Sequence, residues 1–458
     1  AGQRVWQILP LTPPLMGDSP YLSESAFAGN EALISLEVLR DWGWLKQEAL
    51  DDFLAQGKKT ASWHSLAAYK AKLLWDMSHD PDLTIPWEPF RAFCEKNAYW
   101  LDDYALFRAV RDFFGGRCWT EWPEDIRHHS REALAQYGKE LAGAVSHVKF
   151  MQYIFSRQWH DVRAYAAENG VSILGDVPMF VAHNSADCWA HQDQFDLDEA
   201  GNPSSVAGVP PDYFSADGQL WGNPLYDYQA MAADNYQWWT DRFRRMMDLV
   251  DEVRVDHFRG FAAYWAVPAG SETAKSGAWK DGPGLDLFRA VYQKIGRIRL
   301  VAEDLGVITD DVCTLKDALH LPGMKVIQFH LKDRADGRLA FDTEPDCIAY
   351  TGTHDNNTIR GWYEDDLTPS QQLHVRQMLG LSDEAAPQEI VGALIAYTYR
   401  RRAETVIIPM QDLLALPSSG RMNTPGVAEG NWHWQLKEGQ TTFDIAHWLA
   451  KVCRESGR

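Results

Sequence analysis

Four apolar runs in this chain end in a carboxylate: VSILG leads to Asp176, VRV to Asp256, LVA to Glu303 and IAYTGTH to Asp355. A single acid at a strand end is usually a helix cap or a turn former. Four of them, with no charge run to explain them as a solvated face, point to a shared site. Arg254 stands two residues before Asp256, so on a strand the two share a face while Val253 and Val255 take the other. A guanidinium in that place keeps the neighbouring carboxylate ionised and oriented, as a nucleophile requires, although the same pair would also serve as a buried structural ion pair. Glu303 follows Leu300, Val301 and Ala302, surroundings that raise a carboxyl toward the range of a general acid; the adjacent Asp304 keeps a loop salt bridge open as the alternative. His354 precedes Asp355 with no second histidine at ligand spacing, so hydrogen bonds to a polyhydroxylated ligand are expected there, and neither a metal nor another cofactor. A nucleophile, an acid and a third carboxylate together suit cleavage of glycosidic bonds.

Rings and charge agree with a sugar ligand. The chain has 20 Trp, 17 Tyr and 19 Phe, many beside Gly, Pro, Asn and Asp, where they form stacking surfaces for the apolar faces of sugars. A net charge of −20 repels nucleic acid and anionic membrane surfaces. No run is long and apolar enough to span a bilayer, so no membrane association is expected. The six cysteines come no closer than Cys94 and Cys118, 24 positions apart, which excludes a metal knuckle and fits unpaired thiols in a reducing compartment.

The acids need elements that bring them together. Short Val- and Ile-rich runs at 5–10, 171–176, 251–256, 299–304, 324–329, 347–353 and 405–410 read as buried strands. Helical spacing separates most of them, as at 234–250 and 284–295. Alternation of strand and helix implies a parallel sheet, either open or closed into a (β/α)8 barrel, and no glycine-rich phosphate fingerprint follows the first run to favour the open form. In a barrel all four acids converge on the C-terminal mouth. Seven runs leave such a barrel one strand short. Residues 11–170 contain an inserted helical subdomain, with helices expected at 63–77, 89–114 and one long helix at about 131–169. Two Gly- and Pro-rich stretches, 193–230 and 417–436, resist periodic reading and are expected as lid loops over a single catalytic domain spanning 1–458.

Several stretches then carry a resemblance: GDSPYLSESAFAGN (17–30), GDVPMFVAHNSADCW (175–189), GVPPDYFSADGQLWGNPLYDY (208–228), RVDHFRGFAAYWAVPAG (254–270), VAEDLGVIT (301–309), YTGTHDNNTIRGW (350–362) and RMNTPGVAEGNWHW (421–434). They resemble the 4-α-glucanotransferases, the amylomaltases or disproportionating enzymes of glycoside hydrolase family 77, related to the α-amylases. The resemblance implies a TIM-type (β/α)8 barrel and transfer of α-1,4-glucan segments between maltooligosaccharides with retention. It implies Asp256 as nucleophile, Glu303 as acid/base and Asp355 as transition-state stabiliser. Substrate contacts follow by the same matching: Ser19, Tyr21, Asp176, Arg254 and His354 near the cleavage point, and Tyr213, Trp221 and Asn423 on the lids. The family usually begins some thirty residues earlier with a first strand and helix, which would account for the missing eighth strand. Asn357 stands where a second Asp is common, and Gln435 where an Arg is common; both departures concern substrate contacts. The family places such an enzyme in the cytoplasm, or in the plastid stroma of a plant or alga. A hydrolase using the same site, or a truncated, weakly active glucan-binding fragment, are the alternative readings.

Overall fold

The computed structural model describes every residue except 16–17, 60–61, 212–214, 334–338 and 428, and the side chain of Asp333. Its strands in chain order are β1 (Val5–Gln7), β2 (Ser172–Val177), β3 (Ser205–Val209), β4 (Gln219–Pro224), β5 (Glu252–Val255), β6 (Ala263–Pro268) and β7 (Ala278–Asp281). They continue with β8 (Leu300–Ala302), β9 (Gly323–Val326), β10 (Leu331–Asp333), β11 (Leu339–Phe341), β12 (Cys347–Tyr350) and β13 (Thr405–Ile407). β1, β2, β5 and β8 pair in that order, all parallel. β9, β12 and β13 form a second parallel set. The Ala302 N–H donates to Pro322 O at 2.9 Å, which sets the end of β8 beside the start of β9. The parallel strands thus neighbour one another in chain order, as in a (β/α)8 barrel; an open doubly wound sheet would reverse its order at a switch point. Each apolar run expected as a strand forms one of these. Among the described residues β1 pairs only with β2, and β13 only with β12.

Pleat and helix period divide the side chains between two cores. Leu174, Val301, Met324, Val326, Ile348 and Tyr350 cluster inside the sheet, joined by Val5 and Ile407. Their neighbours Ile173, Val177, Val253, Val255, Leu300 and Ala302 face the surrounding helices. The helix Gly284–Ile295 buries Leu287, Phe288 and Val291 on one face, and stops where Gly296 adopts φ 78°, a left-handed value natural for glycine. Helices from Leu36 to Glu168 occupy most of the chain between β1 and β2, and their buried side chains belong to the same continuous apolar cluster as the outer faces of β2, β5 and β8.

Two expectations are corrected. The long helix at 131–169 is two helices, Arg131–Glu140 and Ala142–Glu168, meeting at Leu141 with φ −102° and ψ 21°. Gly138 and Gly143 flank the break, and each costs about 1 kcal/mol of helix propensity relative to alanine. The stretch 193–230 is not irregular throughout: β3 and β4 lie in a four-stranded antiparallel sheet, ordered β4-β3-β6-β7. A side chain at Gly208 would put its Cβ 2.5 Å from Gln219 O, so the glycine that hid the alternation is what lets the strands approach. The described residues of 417–436 are irregular apart from the turn Ser418–Gly420. Among the described residues no helix is long and apolar enough to cross a membrane.

Candidate active site

The mouth of the sheet is assembled from strand ends in register. Asp176 on β2 lies opposite Arg254 on β5, and the ladder continues as the Asp256 N–H donates to Val177 O at 2.9 Å and the Glu303 N–H to Val255 O at 3.1 Å. Arg254 Nη1 donates to both Asp176 oxygens at 2.8 Å and lies 3.0 Å from Asp256 Oδ1. Asp176 and Arg254 are buried, while Asp256 keeps 28% of its side chain open to the mouth. The Tyr21 hydroxyl donates to Asp176 Oδ2 at 2.8 Å. Ser19 shapes the turn that presents Tyr21, its hydroxyl accepting the Tyr21 N–H at 3.3 Å.

Glu303 accepts a backbone N–H on each oxygen, from His257 and from Leu305, both at 2.9 Å. His257 holds φ 47°, a left-handed conformation that costs a non-glycine residue about 1–3 kcal/mol, in the tight turn after Asp256. Asp304 turns the other way: it bonds Lys316 Nζ at 2.8 Å and the Met324 N–H at 2.7 Å. The loop salt bridge thus falls to Asp304, and Glu303 is left to the mouth. Burial is the largest influence on Glu303 and raises its carboxyl, against Arg254 and the two N–H donors. Burial also raises Asp256, with Asp176, Glu303 and Asp355 adding to it and Arg254 opposing. Arg254 is expected from the sequence to keep Asp256 ionised, but the guanidinium is shared with Asp176, and burial outweighs it at Asp256.

The third acid sits on the loop after β12. Asp355 Oδ1 accepts from Asn423 Nδ2 at 2.6 Å, Oδ2 lies 3.4 Å from His354 Nε2, and 43% of the side chain is exposed. His354 stacks on Tyr21 with ring centroids 5.0 Å apart, and burial lowers its pKa, which favours the neutral ring. Trp432 covers both, 5.8 Å from Tyr21 and 5.7 Å from His354. Trp221, on β4, meets the His257 ring edge-on at 4.8 Å and packs by Phe180. It is half-buried against the core, so it anchors the hairpin as well as bordering the mouth. Tyr213 lies outside the described residues. The structure therefore brings Tyr21, Asp176, Arg254, Asp256, Glu303, His354, Asp355 and Asn423 together, with Ser19 and Trp221 at one remove.

Asn357 departs from its expected place. It is buried, with Nδ2 bonded to Asp366 at 3.2 Å and to Ser418 at 3.0 Å, so it holds the loop and does not face the mouth. The sequence reading passed over His257, Arg421 and Trp432. His257 is one residue from Asp256, Arg421 two from Asn423 and Trp432 nine from Asn423 in the same motif, but nothing in their types alone separates them from core packing.

Residues 1–441 match the family model described as 4-alpha-glucanotransferase. The chain is 41% identical over 466 residues to a 4-alpha-glucanotransferase of Synechocystis sp., covering 100% of this chain and 91% of that protein. Identity to the 4-alpha-glucanotransferase of Thermus thermophilus is 42%, over 96% of this chain and 89% of that one. The structure of an amylomaltase from Streptococcus agalactiae in complex with acarbose superposes with a TM-score of 0.92 at 32% identity, covering 100% of this chain and 92% of the other. Fold, strand-end acids and similarity across the chain agree, and the chain belongs to the 4-alpha-glucanotransferase family, glycoside hydrolase family 77.

Proposed function

We propose that this chain transfers α-1,4-glucan segments between maltooligosaccharides by a retaining double displacement, with Asp256 as nucleophile, Glu303 as acid/base and Asp355 as stabiliser of the oxocarbenium-like transition state. The observation that carries the reading is Arg254, whose Nη1 is shared between Asp176 and Asp256 while Glu303 touches only neutral N–H donors. Burial raises both carboxyls, which titrate as a pair. In the reaction Asp256 acts as the carboxylate, held by the charged donor Arg254, and Glu303, which accepts main-chain N–H groups, carries the proton. The Asp256 carboxylate then attacks the anomeric carbon, the C1–O bond breaks, and Glu303 gives its proton to the departing glycosidic oxygen. In the second step the 4-hydroxyl of an acceptor glucan attacks C1, Glu303 takes back a proton, and the ester to Asp256 opens. Two inversions give retention, for which the carboxyl groups must stand roughly 5–5.5 Å apart.

Tyr21, His354, Trp432 and Trp221 supply ring faces for the sugars, and Asn423 and the exposed side of Asp355 supply hydrogen bonds, while the buried Asp176 acts through Arg254 and Tyr21. The six cysteines are free, which supports work in a reducing compartment, the cytoplasm or a plastid stroma. Incubation with maltotriose tests the reading. Glucose together with longer oligosaccharides, their new linkages α by NMR, is the expected result. Hydrolysis products alone would replace the transferase with a hydrolase, and absence of reaction would leave a glucan-binding protein.

A further inference from the structure

The loop from Thr351 to Ile359 carries His354 and Asp355, and its ends are held apart from its middle. Asp412, buried, accepts from Thr351 Oγ1 at 2.6 Å and from the Ile359 N–H at 2.7 Å. Gln328 Nε2 donates to Thr351 O at 3.0 Å and Asn357 O at 2.9 Å. Both clamps act at the ends. The middle is tied across to the loop 421–432 by Arg421, a half-buried residue with no assigned part. Its Nη2 donates to Asp355 O at 2.6 Å and its Nε to Asn423 O at 2.7 Å. Asn423 in turn gives its N–H to His354 O at 3.0 Å and its amide to Asp355 Oδ1 at 2.6 Å. Arg421, Asn423 and Asp355 thus close a ring of hydrogen bonds in which the guanidinium satisfies two main-chain carbonyls and, among the described residues, bonds no carboxylate.

We propose that Arg421 is a positioning residue: its planar fork fixes the main chain of Asp355 against that of Asn423, so that the Asn423 amide aims the Asp355 carboxylate at the developing positive charge. Removal of the fork frees both carbonyls and lets the Asn423 side shift against the anchored Asp355 loop. A displacement of about 1 Å at a reacting group costs on the order of 10²-fold in rate. The loss falls on the transition state, because Asp355 is aimed at charge that the ground state lacks. Only one side of the bridge is adjustable, since the ends of the Asp355 loop are held separately by Asp412 and Gln328. The inference rests on the reading of Asp355 as the stabilising carboxylate.

Arg421→Met and Arg421→Lys in the full chain test it, with Asp355→Ala beside them. For Arg421→Met the expected kcat on maltotriose falls roughly 10- to 100-fold with KM changed less than about twofold, and the loss persists with a maltosyl fluoride donor, which needs no acid. Arg421→Lys, which keeps a donor for one carbonyl, lies between that variant and the parent. A raised KM with unchanged kcat would make Arg421 a substrate contact and overturn the proposal. A lowered Tm with full kcat per folded molecule would overturn it too, and Arg421→Lys decides the question if the methionine variant fails to fold. An active Asp355→Ala overturns both the reading of Asp355 and this inference; an inactive Asp355→Ala beside a fully active Arg421→Met overturns this inference alone.

Discussion

Glu303 accepts one N–H on each carboxyl oxygen, so glutamine in its place keeps one of the two bonds but has no proton for a leaving group. Glu303→Gln should slow maltotriose by about 10²- to 10⁴-fold and a glycosyl fluoride far less, since fluoride departs with little protonation. Equal losses on the two donors would remove Glu303 from that role. The raised carboxyls also set the pH profile. As pH falls the Asp256 carboxylate gains a proton and the nucleophile is lost; as pH rises Glu303 gives up its proton and the acid is lost. kcat/KM on maltotriose should therefore be bell-shaped, and the fluoride reaction of Glu303→Gln should keep the acid limb and lose the alkaline one. Asp256→Ala should abolish transfer while leaving the circular dichroism spectrum unchanged; residual turnover by that route would point to another nucleophile.

Among the elements, β4 and the short helix that carries Asp412 make the clearest predictions. Trp221 stands on β4 with its ring against His257, which follows the proposed nucleophile. Trp221→Ala should weaken use of maltooligosaccharides by about 1–3 kcal/mol and raise the ratio of hydrolysis to transfer, because an acceptor that stacks less well competes less well with water. An unchanged ratio with a lower Tm would reduce the ring to an anchor for the hairpin. Burial pushes the Asp412 carboxyl up to about 6, against the bonds from Thr351 and Ile359. A carboxyl raised on folding adds stability below its unfolded value of about 4, and that addition is lost as pH rises through the folded value. Asp412→Asn, which does not titrate, should therefore gain on the parent protein in Tm between pH 4 and 7, whatever its offset at pH 4. A constant difference across that range would show that Asp412 does not titrate there.

Across the whole molecule one apolar cluster runs from Phe27 in the N-terminal segment, through Phe107 and Phe155 of the inserted helices, to Val255 and Ala302 beneath the active-site strands. Among the described residues the inserted helices and the outer faces of β2, β5 and β8 share this cluster. The helices of 11–170 should melt together with the barrel, so far-ultraviolet circular dichroism and tryptophan fluorescence should trace one coincident transition. Release of a stable helical fragment by limited proteolysis before that transition would contradict it.

The seven parallel strands were legible in the sequence because their signal is local: short β-branched runs bounded by turn residues and acids. Pleat alone then put Arg254 and Asp256 on one face, and Glu303 followed from its place at the end of β8. The small antiparallel sheet was hidden, because β3 pairs with β6 more than fifty positions away and a glycine at the crossing interrupts its alternation. Only the assembled structure decided how charge is divided. One guanidinium serves Asp176 and Asp256 together, and Asp304 is drawn off to Lys316 while its neighbour Glu303 faces the mouth. The roles of Asp412 and Arg421 were equally out of reach, since each acts by joining segments that are remote along the chain. Residue type and spacing report the period of a local element. Sharing of a proton, a cation or a carbonyl depends on distances of about 3 Å between side chains that only tertiary packing brings together.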